Sequence, residues 1–237
     1  MEHLSGGGTP ARGVQSGTVA VAIMAKAPWP GAVKTRLCPP LGAAQAAALY
    51  RCFLLDKIAE VRALVNTSPV IAYSPEEARR EFTALAPDFS LVPQRGPDLG
   101  ARLHATLAGL LGDGHVGAIA VDSDTPTLPR EFLQQAVDCL CRREADVVLG
   151  PTEDGGYYLI GLEAPQALLF EAVPWSTSAV LDITLRKATA AGLRTVRLPT
   201  WFDIDTPDDL LRLERALDGG ESGAAGQTGR MLASWRR

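Results

Sequence analysis

The run Val19-Ala20-Val21-Ala22-Ile23-Met24-Ala25 decides the fold class of this chain. Its residues are all apolar and show no polar alternation, which is typical of a strand buried on both faces, as in parallel sheets covered by helices. Shorter runs of the same kind follow downstream at residues 70–73, 118–121, 146–149 and 157–161. The pattern therefore predicts a series of buried strands.

Helical segments alternate with these runs. Apolar residues recur at intervals of three and four, and helices are predicted over residues 43–65, 99–111, 129–142, 177–191 and 207–217. The stretch Thr206-Pro207-Asp208-Asp209 supplies a cap, a proline and two acids for the start of the last helix. This alternation indicates an α/β fold in which helices flank a mostly parallel central sheet.

The chain of 237 residues is expected to form one domain with two tails. Residues 1–17 and 218–237 are rich in glycine and small polar residues. Such compositions bury too little apolar surface to offset the entropy lost on ordering, so both ends are predicted to be disordered. Residues 18–217 are then the folded domain.

Composition excludes several classes of function. The 23 Lys and Arg against 27 Asp and Glu give a net charge of -4, which is not the basic footprint that nucleic-acid binding requires. No signal peptide and no uninterrupted apolar run long enough for a membrane span is visible. The four cysteines lack metal-ligand spacing. A cytoplasmic protein with reduced thiols and no nucleic-acid partner is expected.

The loop after the first strand concentrates positive charge. It contains Lys26, Lys34 and Arg36, together with Gly31 and two prolines. In sheets of this kind ligands bind at the carboxyl ends of the strands, and backbone amides, a glycine and converging cations suit a diphosphate. A solvated basic loop is the alternative that the residues alone leave open.

Two pairs of acids are candidate metal ligands. One pair follows the apolar run at residues 118–121, and the other precedes the last predicted helix. Asp122 and Asp124 stand two residues apart, so in an extended segment both carboxylates point the same way and can reach one Mg²⁺ or Mn²⁺. Asp203 and Asp205 repeat this spacing, although Asp205 or Thr206 is also placed to cap the helix. An ordinary turn is the alternative explanation of the first pair.

Two further segments carry candidate residues. Glu153 and Asp154 precede two glycines, which suits a carboxylate that meets a ligand hydroxyl or acts as a base. Asp-Gly is also typical of a hairpin turn. Asp98 and Arg102 lie at the start of the helix predicted over residues 99–111 and are candidates for nucleotide binding, with a capped helix as the alternative.

Taken together, these segments resemble a poorly characterised bacterial family of type-A glycosyltransferase-like proteins, described as nucleotide-diphospho-sugar transferases, some of which occur beside radical-SAM enzymes. The resemblance covers residues 19–216 and rests on motifs found in the same order: Ala25 to Pro28, Pro30-Gly31, Lys34 to Leu37, Gly96 to Arg102, Ser123 to Pro126, Gly150 to Leu162 and Asp203 to Thr206. It implies a single-domain, Rossmann-like glycosyltransferase-A fold, which sugar-phosphate nucleotidyltransferases and molybdenum-cofactor guanylyltransferases share.

The resemblance also implies roles for individual residues. These are phosphate contacts for Lys26, Lys34 and Arg36, metal contacts for Asp124, Asp203 and Asp205, and sugar or acceptor contacts for Glu153 and Asp154. The family commonly has a small residue such as glycine where this chain has Asp122. Asp122 is therefore either an extra metal ligand or an incidental substitution.

The expected function is a metal-dependent transfer of sugar from a nucleoside diphosphate sugar to a small-molecule acceptor. A divalent metal and the cations of the first loop would take the charge that develops on the leaving nucleoside diphosphate. The alternative is nucleotidyl transfer, in which a phosphorylated small molecule attacks an NTP and releases pyrophosphate. A nucleotide-binding protein without activity is the third hypothesis, which the acids at three strand ends weaken. The sequence does not indicate an oligomeric state.

Overall fold

The structure, a computed structural model, describes residues 17–219 and 226–236. In that part of the chain one sheet has seven strands: β1 (Val19–Lys26), β2 (Thr67–Ser74), β3 (Ser90–Pro93), β4 (Gly117–Val121), β5 (Val147–Pro151), β6 (Tyr157–Leu162) and β7 (Thr195–Arg197). Their order across the sheet is β3-β2-β1-β4-β6-β5-β7. Strand β6 is antiparallel to β4 and β5, and the other neighbouring strands are parallel.

Helices flank this sheet. They are α1 (Ala43–Arg62), α2 (Arg79–Leu85), α3 (Leu99–Gly112), α4 (Arg130–Cys141), α5 (Val180–Ala190), α6 (Pro207–Asp218) and α7 (Gly226–Trp235), with short 3-10 helices at Thr35–Leu37, Glu76–Ala78 and Ala167–Leu169. The predicted α/β fold with a mostly parallel central sheet is confirmed.

Strand β1 is buried on both faces, as its apolar run predicts. Val21 and Ile23 pack into the core that contains α1, α2 and α4, whereas Ala20 and Ala22 pack against α3. The paired register of Ile23 with Val121 aligns the carboxyl ends of β1 and β4. The loop that follows β1 therefore lies beside the loop that carries the first pair of acids.

The strands β3 and β7 are not predicted from the sequence. Each lies at an edge of the sheet, and β7 has only 3 residues. Their residues are partly exposed, because an edge strand is covered less completely than a central one. Neither segment therefore has the continuous apolar run that reveals β1.

The predicted disordered tail over residues 218–237 differs from the structure, because Gly226–Trp235 forms α7. This helix packs on α1 and buries Thr228 and Leu232. The carboxylate of Asp56 in α1 accepts hydrogen bonds of 2.8 Å from the backbone N–H groups of Gln227 and Thr228. These partners are distant in sequence, so local composition does not reveal the helix. Residues 1–16, 220–225 and 237 of the two predicted tails lie outside the described residues.

Helix α6 begins with the predicted cap. The side chain of Thr206 accepts a hydrogen bond from the N–H of Asp209, and the carboxylate of Asp209 accepts one from the N–H of Thr206. Thr206→Ala is expected to lower the free energy of unfolding by about 1 kcal/mol, measured by urea denaturation. The matched control is Thr83→Ala, because Thr83 is exposed and bonds only to the carbonyl of Arg79 inside α2. Equal losses in both variants would contradict the capping role.

Candidate functional site

A cavity of about 480 Å³ opens at the carboxyl ends of β1 and β4. Predicted site residues that line it are Lys26, Lys34, Arg36, Arg102, Asp122, Asp124 and Asp205. They come from the loops after β1 and β4, from the start of α3 and from the segment that precedes α6. The fold thus brings together side chains that are far apart in the sequence, as expected for the carboxyl edge of such a sheet. We call this cavity the first cavity.

Lys34 is the central cation of the first cavity. Its backbone is left-handed, with φ of 49°, at the start of the 3-10 helix Thr35–Leu37. The Nζ atom lies 2.8 Å from Oδ1 of Asp124 and 2.8 Å from Oδ1 of Asp205, and the side chain is only 4% exposed. Burial alone would lower the pKa of Lys34, but the two carboxylates outweigh burial and raise it. Lys34 is therefore a charged ammonium that joins the β4 loop to the segment before α6.

Asp205 is paired with cations and does not cap the helix. Thr206 performs the capping, which leaves the Asp205 carboxylate to Lys34 and to Nη1 of Arg36, at 3.3 Å. Burial by itself would raise the pKa of Asp205, but Lys34, followed by Arg36, leaves it below its ordinary value. Of the two explanations that the sequence leaves open for Asp205, the structure favours a role in the cavity.

We call Asp122, Asp124, Asp203 and Asp205 the acid cluster, in which burial and the neighbouring negative charges raise the pKa values of Asp122 and Asp203. Burial raises the pKa of Asp122 to about 7, with Asp124 and Asp203 adding to the rise and Lys57 opposing it. Burial also raises the pKa of Asp203 to about 6, with further contributions from Asp205 and Asp154. Because nearby negative charges disfavour ionisation, a cation bound among these carboxylates would relieve the repulsion.

The divalent metal implied by the fold family fits the chemistry of these donors. Carboxylate oxygens are the ligands that Mg²⁺ and Mn²⁺ prefer. Within residues 17–219 and 226–236, no three His, Cys, Asp or Glu side chains are arranged to hold a metal ion. Lys34 instead bridges Asp124 and Asp205. Since Mg²⁺ is often bound by one or two carboxylates together with substrate phosphates, the residues fit a metal that arrives with a nucleotide.

The two neighbouring acids Glu153 and Asp154 are separated by the structure. Glu153 accepts hydrogen bonds of 2.5 and 2.8 Å from the guanidinium of Arg212, which lowers its pKa, and it does not line the first cavity. Asp154 accepts hydrogen bonds from the hydroxyl of Thr152 and the N–H of Gly156. Its negative charge contributes to the raised pKa of Asp203. The segment is also the connection of the β5–β6 hairpin, as its Asp-Gly turn predicts, and the role of Glu153 or Asp154 toward a ligand stays a prediction.

Asp98 and Gly31 have local roles in the structure. The carboxylate of Asp98 caps α3 by accepting a hydrogen bond of 2.8 Å from the N–H of Ala101. Gly31 is exposed, with φ of 78°, in the turn closed by the hydrogen bond from the N–H of Ala32 to the carbonyl of Trp29. Neither residue lines the first cavity. The capped-helix interpretation therefore describes Asp98, and Gly31 shapes the loop.

Arg102 and Gln94 line the side of the first cavity nearest to β2 and α3. Nε of Arg102 donates a hydrogen bond of 3.1 Å to the carbonyl of Gly96. The side-chain amide of Gln94 donates to the carbonyls of Ala25 and Ala72, at 3.2 and 2.8 Å. Sequence reasoning identifies Arg102 and misses Gln94, which follows a strand that the sequence does not reveal.

Tyr50 and Ser123 form the floor of the first cavity and are also missed by sequence reasoning. The hydroxyl of Tyr50 accepts a hydrogen bond of 3.0 Å from the N–H of Lys26 and lies 2.8 Å from Oγ of Ser123. Ser123 in turn donates to the carbonyl of Met24. Burial raises the pKa of Tyr50 to about 12. The position of Ser123 between two candidate acids is a usable signal, whereas nothing distinguishes Tyr50 from a core residue of α1.

Comparisons with known proteins identify a family and a similar solved structure. Residues 57–177 match the model of a family described as uncharacterized protein conserved in bacteria, DUF2064. A protein from Desulfovibrio desulfuricans G20, provisionally designated a nucleotide-diphospho-sugar transferase, is 32% identical with a TM-score of 0.85, over 91% of this chain and 94% of that one. None of the curated proteins searched matches the sequence.

More distant structures share the fold. A CMP:2-keto-3-deoxy-manno-octonic acid synthetase complexed with CTP has a TM-score of 0.56 at 11% identity, over 86% of this chain and 99% of that one. A second distant structure is glucosyl-3-phosphoglycerate synthase from Mycobacterium tuberculosis in complex with Mn²⁺, UDP and glucosyl-3-phosphoglycerate. It has a TM-score of 0.51 at 15% identity, over 87% of this chain and 80% of that one. The expected Rossmann-like glycosyltransferase-A fold is thereby confirmed.

No helix in residues 17–219 and 226–236 has both the length and the apolar character needed to cross a membrane.

Proposed function

This chain belongs to the bacterial family DUF2064, and from that membership and the geometry of its site we propose that it transfers a sugar from a nucleoside diphosphate sugar to a small-molecule acceptor, with a divalent metal. The similar protein from Desulfovibrio desulfuricans carries a provisional description of that kind. The proposed reaction breaks the bond between the anomeric carbon and the diphosphate and forms a bond from that carbon to an acceptor oxygen.

The observation that carries the proposal is the position of Lys34 between Asp124 and Asp205. A buried ammonium and several carboxylates converge in one cavity, with the exposed guanidinium of Arg36 at its side. This combination suits a diphosphate bound together with a divalent metal, because cations contact the phosphate oxygens while carboxylates hold the metal. A solvated basic loop would not bury one of its lysines against two acids.

In this proposal each residue has a defined task. Lys34 and Arg36 stabilise the negative charge that develops on the leaving nucleoside diphosphate. Asp124 and Asp205 would hold the divalent metal, with Asp122 and Asp203 beside them, and the metal would supply further charge stabilisation. Asp154 is the candidate base that accepts the proton of the acceptor hydroxyl, because it lies by the acid cluster while Glu153 is held by Arg212.

Nucleotidyl transfer is the second candidate function. The same fold occurs in the distant CTP-bound synthetase, and the cations Lys34 and Arg36 in the first cavity suit a triphosphate as well as a diphosphate. In that reaction the oxygen of a phosphorylated molecule attacks the α-phosphate of an NTP, and pyrophosphate leaves. Asp124 and Asp205 would again contact the metal.

A thermal-shift experiment separates the two functions. The protein is heated with Mg²⁺ or Mn²⁺ and with UDP-, GDP-, ADP- or CMP-sugars, or with the four NTPs. We expect a nucleoside diphosphate sugar at 100 times its Kd to add about 2.7 kcal/mol of stability and to raise the melting temperature. Stabilisation by an NTP, with pyrophosphate released when phosphorylated sugars are added, would favour the second function. If no nucleotide raises the melting temperature in the presence of metal, both proposals are wrong.

A further inference from the structure

A second cavity, of about 430 Å³, lies between the β5–β6 hairpin, residues 200–202 and α6. Charged and aromatic side chains line it, namely Glu153, Trp201, Phe202, Arg212 and Arg215. The proposed nucleotide site uses none of these five residues. We call this space the second cavity.

The second cavity carries excess positive charge beside two packed aromatic rings. The rings of Trp201 and Phe202 are stacked, with centroids 5.5 Å apart, and the guanidinium of Arg212 lies 3.7 Å from the centroid of Phe202. One carboxylate, that of Glu153, faces two guanidinium groups in the lining. Paired arginines suit a carboxylate or a phosphate, and the aromatic rings support the guanidinium of Arg212.

Two chain segments carry both lining residues of the second cavity and acids of the candidate site. The chain at residue 201 runs beside the hairpin, since Trp201 donates a backbone hydrogen bond to Pro151 and accepts one from Glu153, at 3.0 and 3.1 Å. Glu153 lines the second cavity while the next residue, Asp154, lies by the acid cluster. Phe202 likewise lines the second cavity, while the next residue, Asp203, belongs to the acid cluster. The residues that follow Glu153 and Phe202 along the chain are therefore acids of the proposed reaction site, and neither acid lines the first cavity.

We propose that the second cavity binds the acceptor, and that this acceptor carries a carboxylate or phosphate group held by Arg212 and Arg215. The inference rests on the proposed function, because an acceptor is meaningful only for a transferase. When the anion binds, it replaces Glu153 as the partner of Arg212. The reacting hydroxyl of the acceptor is then directed towards Asp154, the residue that follows Glu153.

Two simple anions, phenyl phosphate and benzoate, test the proposal by isothermal titration calorimetry on the full chain. We expect at least one to bind, with benzyl alcohol as the uncharged comparison. Arg215→Gln is expected to weaken binding about tenfold, since a hydrogen bond to a charged group contributes 1.5 kcal/mol or more. Glu153→Gln is expected to strengthen binding several-fold, because it removes the carboxylate that competes for Arg212. Arg186→Gln is the matched control, since Arg186 is exposed on α5 and pairs with Asp182.

Opposite shifts in Arg215→Gln and Glu153→Gln, with Arg186→Gln unchanged, support the proposal, and the anion that binds more tightly identifies the acceptor group. Equal weakening in Arg186→Gln, or weakening in Lys34→Met instead of Arg215→Gln, would place the anion elsewhere and overturn it. Binding of neither anion would overturn it as well.

Titration of the same variants with nucleotides separates this inference from the proposed function. Arg215→Gln should bind nucleotide as the wild type does. If nucleotides bind but the anions do not, the acceptor site alone is wrong. If no nucleotide binds, the proposed function fails, and the acceptor assignment that rests on it fails too.

Discussion

Asp124→Asn is expected to weaken the binding of a nucleoside diphosphate at least about 100-fold in the presence of Mg²⁺ or Mn²⁺, because even an outer-shell partner of a metal contributes 10–100-fold to its affinity. The substitution replaces a charged oxygen donor by a neutral amide of the same size. In the presence of EDTA the variant and the wild type should bind the nucleotide equally. Calorimetric titration with UDP, GDP, ADP or CDP, with and without metal, measures both quantities.

The fold should survive this change, because Lys34 keeps its ion pair with Asp205. The control is Asp113→Asn, which alters an exposed aspartate at the carboxyl end of α3, at the opposite end of β4 from the first cavity. We expect it to bind nucleotide and metal normally. If Asp124→Asn retains the full metal dependence of the wild type, Asp124 is not a metal contact.

Lys34→Met has the second large expected effect, on stability and on nucleotide binding together. The variant keeps most of the side chain but leaves Asp124 and Asp205 without the ammonium that separates them. Because the two carboxylates are 36% and 38% exposed, solvent reduces the cost, and we expect a loss of about 2 kcal/mol in the free energy of unfolding. Affinity for a nucleoside diphosphate should fall about tenfold or more, while affinity for the nucleoside stays the same. Urea denaturation and calorimetry measure these effects.

The stability difference between wild type and Lys34→Met should depend on pH in a defined direction. Lys34 lowers the pKa of Asp205 in the folded protein, against the effect of burial, so this pair stabilises the fold above the ordinary aspartate value of 3.8. The difference should shrink as the pH falls, beginning near pH 6, because Lys34 also lowers the pKa of Asp203, which is about 6, and continuing as Asp205 takes up a proton. Lys34 itself has a raised pKa, so its contribution is complete below 10.5 and is lost only at higher pH. A difference that grows on acidification would contradict the pairing.

Much of the fold can be predicted from the sequence because the central strands are short apolar runs that can be recognised without knowledge of their partners. The apolar run of β1 predicts burial on both faces, and loops at the carboxyl ends of β1 and β4 are where the first cavity lies. The edge strands β3 and β7 and the helix α7 cannot be predicted in this way, since they depend on partners distant in the chain. Asp56, for example, meets the start of α7 across 171 residues of sequence.

The sequence predicts which residues belong to the candidate site, but not which of them form ion pairs with one another. The sequence places Lys34 and Asp124 after strands and Asp205 before a helix, yet no local pattern says that one ammonium joins both acids. Glu153 and Asp154 are equivalent in the sequence, and only the course of the hairpin decides that they occupy different surroundings. Tyr50 is not predicted as a site residue, because an aromatic residue on the buried face of a helix has the same sequence pattern as a core residue.

The contact of α7 with α1 changes where this domain ends. Composition places the boundary at residue 217, but a chain shortened to that point would leave the carboxylate of Asp56 without its two backbone donors. It would also uncover the apolar surface that Leu232 fills beside Tyr50 and Phe53. Since Tyr50 belongs both to this core and to the floor of the first cavity, the last helix of the chain is a support of the site, and shortened or carboxyl-terminally extended versions of the protein have to preserve it.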